Sequence, residues 1–138
     1  MGLAIAHELA RRGKRVEVLS RSRREAAGFV AAGMLAPHAE GLQGNLLNLG
    51  QCSLQRHPTW IENIETNSKM SCGLKTCGIV VPFERHKDCE SYPTYKFGTK
   101  LSRNELLQEI PRISEKWNLG LLFNQDGQID KRRLLMRA

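Results

Sequence analysis

The apolar positions near the start of the chain fall at helical spacing and then change to alternation. Leu3, Ile5, Ala6, Leu9 and Ala10 form a small-residue, mostly apolar face, which predicts a helix over residues 2–12. Gly13 stands where a helix-terminating glycine belongs. Lys14–Ser20 then reads as a strand, with Val16, Val18 and Leu19 as its apolar positions. Helix, glycine stop and strand make the second half of a βαβ unit, and a first strand is expected ahead of Met1. Residues 21–28 are polar and basic and then small. Phe29–Ala36 is a run of small and apolar residues closed by Pro37.

Further along, Leu46, Leu47, Leu49, Leu54, Trp60, Ile61 and Ile64 predict a helix within Leu42–Asn67, with a possible break at Pro58. Gly78–Phe83 and Leu119–Phe123 are strand candidates. Residues 84–100 show no period and read as a loop or hairpin. Ser102-Arg103-Asn104-Glu105 has the capping-box pattern ahead of Leu106, Leu107 and Ile110, and Pro111 ends that helix. Asn124–Gln128 has turn chemistry centred on Asp126-Gly127, and Asp130 is placed to cap a helix from Lys131. Both ends cut through elements, so the expectation is a fragment of a larger protein.

The 138 residues are enough for one domain with a hydrophobic core. The formal charge is +7, with seven cations between Arg11 and Arg24 and others at Lys131, Arg132, Arg133 and Arg137. A basic module binding an anionic partner is one reading of that balance; a solvated surface is the plainer one. Nucleic-acid binding is not expected, because only 6% of residues are aromatic and they are scattered. Cys52, Cys72, Cys77 and Cys89 come without a basic-then-apolar leader, so reduced thiols and a cytoplasmic location are expected. No window has the length and polarity of a membrane span. His7, His57 and His86 have no partner at suggestive spacing, and Trp60 and Trp117 read as packing anchors.

The chemistry concentrates at the start. In dinucleotide-binding folds, the last glycine of a tight turn opens a helix whose N-terminus faces a pyrophosphate. Gly2-Leu3-Ala4-Ile5-Ala6-His7-Glu8-Leu9-Ala10, followed by Gly13 and Val16-Glu17-Val18-Leu19, fits that unit from its last glycine onward. At a short distance comes Val30-Ala31-Ala32-Gly33-Met34-Leu35-Ala36-Pro37-His38-Ala39-Glu40. Together these segments resemble the D-amino-acid oxidase and glycine oxidase group of FAD enzymes, and look closest to the glycine oxidase of thiamine biosynthesis. Gly120–Phe123 and Asp126–Asp130 resemble the family's return from substrate domain to FAD domain.

The resemblance implies a mixed α/β (α+β) fold. A partial FAD-binding, Rossmann-like βαβ region would span residues 1–45. An FAD-domain helix and part of a substrate or cap domain would span 46–125, and the start of a return helix 126–138. It implies FAD as cofactor, with Gly2, Ser20, Arg21, Gly28, Ala32, Gly33 and Met34 as contact residues. Small side chains at the Ala-Ala-Gly-Met run let the main chain approach the flavin ring. The substrate would be a small amino acid such as glycine, and the family's enzymes are homo-oligomers. No catalytic residue is assigned. Three positions depart from the pattern: Ser20 stands where the family has an acidic residue for the ribose, and Ala27 and Gly28 replace hydroxyl residues near the pyrophosphate.

Other readings remain open at this point. His38, Glu40, Cys72 and Cys77 resemble a zinc deaminase set, although the cysteines are four residues apart rather than two and no proline precedes Cys72. An NAD(P) enzyme would share the helix–strand unit but not the Ala-Ala-Gly-Met run.

Overall fold

The computed structural model describes residues 2–22 and 25–135. Arg23, Arg24 and Arg137 of the basic clusters lie outside the described residues. The chain divides into two compact units. One comprises Met1–Gly33, Thr59–Leu74 and Ile129–Ala138, the other Met34–Pro58 and Lys75–Gln128.

In the first unit, α1 (Gly2–Arg11) ends as the pattern predicts. Gly13 takes φ +73, its N–H bonds Ala10 O, and Lys14 N–H reaches back to Leu9 O. That pair of bonds caps the last carbonyls, and the left-handed residue is a glycine because a Cβ is disfavoured there. The expected strand over Lys14–Ser20 has no ladder among the described residues, and Leu19 is 87% exposed. Alternation prepares a segment for a sheet, but a strand exists only through a neighbour's hydrogen bonds. Short α2 (Ala27–Val30) packs against α6 (Lys131–Leu135). Asp130 caps α6 through Oδ1, which accepts the N–H of Arg132 and Arg133 at 3.1 Å each. The Arg133 N–H is the first cause of the lowered Asp130 pKa.

On α1, Glu8 accepts from Arg11 Nε at 3.0 Å and Arg12 Nε at 2.7 Å, pairs at the i+3 and i+4 spacings where helical side chains meet. These bonds hold its carboxyl at about 2, against an ordinary 4.5. A depressed carboxyl contributes stability that is present above the unfolded value and lost as pH falls through the folded one. Amide-exchange protection in α1 is therefore expected to hold down to about pH 4.5 and to fall between there and about 2. Glu8→Gln should remove this component. A wild-type loss complete above pH 4.5 would contradict the assignment.

Helix α3 (Gly44–Ser68) runs through Pro58 without a break, and the boundary between units falls at that residue. The proline removes one main-chain donor but does not end the helix, contrary to the break considered from sequence. Beyond it, Ile61 and Ile64 are buried in the first unit.

The second unit holds a three-stranded antiparallel sheet of β2 (Ile79–Phe83), β4 (Leu119–Phe123) and β3 (Thr99–Leu101), in the order β2-β4-β3. Ile79 faces Phe123 and Thr99 faces Leu122 in the register. Pro82 is tolerated because β2 is an edge strand, where a missing N–H need not break a ladder. Central β4 turns Leu119, Leu121 and Phe123 to one face, where Phe83 and Cys89 complete the core. Gly120 leaves room on the other face, where an added Cβ would lie 3.1 Å from buried Leu106.

Residues 84–100, expected as a loop or hairpin, instead supply α4 (His86–Glu90), a 3₁₀ turn (Tyr95–Phe97) and most of β3. A five-residue helix is too short to show a period, and β3 exists only through its pairing with β4. The capping box forms as read. Ser102 Oγ accepts the Glu105 N–H and Glu105 accepts the Ser102 N–H, opening α5 (Arg103–Glu109). A second, two-residue ladder pairs β1 (Met34–Leu35) with β5 (Gly127–Gln128).

Candidate cofactor-binding site

The proposed contact residues of the first unit lie at exposed or half-exposed main chain. Gly2 is the first residue of α1, with nothing within 4 Å of the position a Cβ would take. The first turn carries no acidic side chain, so nothing there opposes an anion at the positive end of the helix dipole. Ser20 and Arg21 are exposed, and Arg21 Nε donates to Glu25 at 2.7 Å, so its cation is already paired.

Gly28, Ala32 and Gly33 follow. An added Cβ on Gly28 would lie 3.3 Å from Leu135 Cδ1, and one on Gly33 only 2.2 Å from the carbonyl oxygen of Ile129. Gly33 has φ +84, and its carbonyl accepts the Ile129 N–H at 2.8 Å. Both glycines thus lie against the 129–135 segment. The absence of a side chain at Gly33 has a cause within the protein itself. Val30, at 80% exposed, and the neighbouring Ala31 and Ala32 leave their surface uncovered.

In the second unit, Met34 is 51% exposed on β1. A cavity of about 180 Å³ lies between the Met34–Pro37 segment and α3, where Gly50, Leu54 and His57 line it. Pro37 packs so closely on α3 that a Cβ on Gly50 would meet its Cβ at 2.7 Å.

Behind this segment sits a polar network that the sequence reading missed. His38 is 2% exposed and Asp126 is fully buried. The Nδ1–H of His38 donates to Asp126 Oδ1 at 2.7 Å, and the Ala39 N–H donates to Oδ2 at 2.7 Å. Because a carboxylate only accepts, Asp126 requires a proton on Nδ1, and the Gln51 amide N–H donates to His38 Nε2 at 3.0 Å. Thr94 Oγ1 donates to His38 O at 2.5 Å and the Tyr92 hydroxyl to Ala39 O at 2.6 Å. Burial raises the Tyr92 pKa, with Glu40 and Asp126 adding to it, which keeps that hydroxyl a donor. Phe97 and Phe123 flank the imidazole at 5.1 and 6.2 Å between ring centroids. His38 and Asp126 are 88 residues apart, and no local spacing announces their pairing.

That network removes the basis of the zinc reading. Both ring nitrogens of His38 are engaged, by Asp126 and Gln51, and a zinc-ligating histidine needs one free. Glu40 is exposed, and among the described residues no group of three or more His, Cys, Asp or Glu side chains is arranged to hold a metal ion. The basic-module reading also loses support on α1, where Arg11 and Arg12 are both committed to Glu8. No helix among the described residues is long and apolar enough to cross a membrane.

The helix-first unit, the small-residue run and the mixed sheet-and-helix fold define the class. The model of the FAD dependent oxidoreductase (DAO) family matches residues 1–138, and the chain belongs to that family. Within it, the chain is 37% identical over 140 residues to the bifunctional protein ThiO/ThiG of Synechocystis sp., covering 98% of this chain and 21% of that protein. It is 41% identical over 144 residues to the protein of the same name from Trichormus variabilis, covering 97% and 22%. The fold matches glycine oxidase from Geobacillus kaustophilus with a TM-score of 0.88 at 25% identity, over 99% of this chain and 40% of that one. Glycine oxidase from Bacillus cereus matches with a TM-score of 0.82 at 20% identity, over 97% and 38%. The chain therefore spans about a fifth of the length of the curated relatives it matches.

Proposed function

We propose that this chain forms part of the FAD site of a glycine-oxidase-type enzyme acting on a small amino acid such as glycine, in the service of thiamine biosynthesis. The observation that carries the reading is the whole-length family match, together with the exposed Val30–Met34 run that such a site requires. Gly2 presents the N-terminal amides of α1 to the pyrophosphate. Ser20 and Arg21 meet the adenosine ribose, Ser20 by hydrogen bond without charge; Arg21 must exchange Glu25 for the nucleotide to contribute its own. Gly28 offers its main chain near the pyrophosphate, while Ala32, Gly33 and Met34 offer main-chain amides to the isoalloxazine ring, which the small Ala32 and Gly33 allow to approach. A bound flavin would supply two-electron oxidation, by which the amino acid would lose a hydride and a proton to become its imine and oxygen would be reduced to hydrogen peroxide. The names of the ThiO/ThiG relatives support the link to thiamine.

Titrating the purified chain with FAD tests the reading. Saturable quenching of flavin fluorescence is expected, and fluorescence unchanged at excess protein would overturn binding by this chain. Little or no peroxide from glycine is expected of the 138 residues alone, because they span about a fifth of the relatives' length. Sustained peroxide production in a peroxidase-coupled assay would refute that part.

A further inference from the structure

We propose that His38 and Asp126 are a positioning pair that fixes the register of β1 against β5, and so decides which face Met34 presents. That Met34 faces flavin rests on the proposed function; the register itself does not.

The β1–β5 ladder has two residues on each strand, Met34 opposite Gln128 and Leu35 opposite Gly127. Register is ordinarily set by one buried face, and a slip of one residue exchanges the two faces of a strand. Here that device is weak. Met34 and Gln128 are exposed and Leu35 is only half-buried; the buried positions of β5 and its extension are Gly127, which has no side chain, and Ile129. Gln128 turns its own N–H and C=O to Lys75, at 2.9 and 2.8 Å, and therefore away from Met34. One further main-chain bond, Ile129 N–H to Gly33 O, extends the pairing.

The strong constraint lies at the other end. Asp126 directly precedes β5 and His38 follows β1 by three residues. The Asp126 carboxylate takes two donors from consecutive residues, the His38 Nδ1–H and the Ala39 N–H. Two short bonds to one planar group fix direction as well as distance. Slipping the strands would leave the buried Asp126 carboxylate, the buried His38 Nδ1–H and the part-buried Ala39 N–H unpaired, a larger penalty than the bonds of a two-residue ladder. Phe97 and Phe123 prevent the ring from swinging away, and Asp126, which can only accept, selects the tautomer that Gln51 then complements at Nε2.

The test is solution NMR on the 138-residue chain without flavin. Met34 and Gln128 should show a close Hα–Hα cross-peak, as expected of an antiparallel pair not bonded to each other. The His38 nitrogen shifts should report the Nδ1–H tautomer. Asp126→Ala and His38→Leu should lose that cross-peak while the β2–β4 cross-peaks remain. His38→Asn, whose amide nitrogen occupies the place of Nδ1, should retain it. Asp126→Asn should move the His38 proton to Nε2, with the Gln51 amide turned to accept it, and keep the register. A Met34–Gln128 cross-peak unchanged in folded Asp126→Ala overturns the proposal, as does an unchanged His38 tautomer in Asp126→Asn. Should Asp126→Ala lose its β2–β4 peaks, the decision passes to His38→Asn against His38→Gln, whose longer amide reaches the Nε2 position instead. Retention by Asn and loss by Gln supports the pair, and the same outcome for both overturns it. A failed FAD titration would remove the proposed function and leave this result standing.

Discussion

Replacing Gly33 by alanine is expected to lower stability by about 3 kcal/mol, a fall in melting temperature of about 10 °C for a chain of this size. Two costs combine. The backbone at φ +84 disfavours any Cβ. The new methyl would also stand 2.2 Å from Ile129 O, which is main chain and cannot rotate away. Relief requires the two segments to part, at the cost of the Ile129 N–H to Gly33 O bond. Gly28→Ala is the matched control. It sits in α2 at negative φ, and its added methyl would meet only the end of the Leu135 side chain at 3.3 Å. That variant is expected to stay within about 1 kcal/mol of the parent, since a side-chain tip can shift and alanine favours helix. Thermal unfolding of both variants without FAD decides the matter. Equal losses would show that the contact with Ile129 is not the reason for the glycine.

The second large effect is expected at Asp126. Asp126→Ala should cost about 2–5 kcal/mol, because it strands the His38 and Ala39 donors at once, at about 1–3 kcal/mol each. Removing both partners should cost less than the two single losses added together. With His38→Leu alongside, the ring donor is gone and an apolar side chain meets Phe97 and Phe123. A coupling of about 1–3 kcal/mol is therefore expected from denaturant unfolding of the wild type, the two single variants and the double variant. Additive losses would mean that the two side chains stabilise the protein independently, against their 2.7 Å geometry.

These two sites also mark where sequence reasoning stopped. The sequence marks Gly33 as a residue whose smallness matters. The cause inferred was close approach of a flavin, and the neighbouring Ile129 carbonyl supplies a cause that acts with no ligand bound. In the sequence, His38 reads as a metal-ligand candidate and Asp126 as turn chemistry. Neither reading could anticipate a partner 88 residues away.

What the sequence by itself determined is local. The termination of α1 at Gly13, the capping box at Ser102, the Asp130 cap of α6 and the cores of β2 and β4 depend on groups within about five residues of one another or on short unbroken apolar runs. The family signature from Gly2 to Glu40 is equally local, because it is a series of backbone requirements in order along the chain. Tertiary structure alone decided the rest. Strand β3 exists because β4 offers it hydrogen bonds, and Lys14–Ser20 forms no ladder among the described residues because no neighbour does so there. The close contact at Gly33 and the burial of His38 against Asp126 arise only when distant segments meet. The physical reason is the same throughout. A hydrogen bond or contact between neighbours leaves its mark in residue spacing, whereas one that closes a long loop leaves none until the folded chain has brought its partners together.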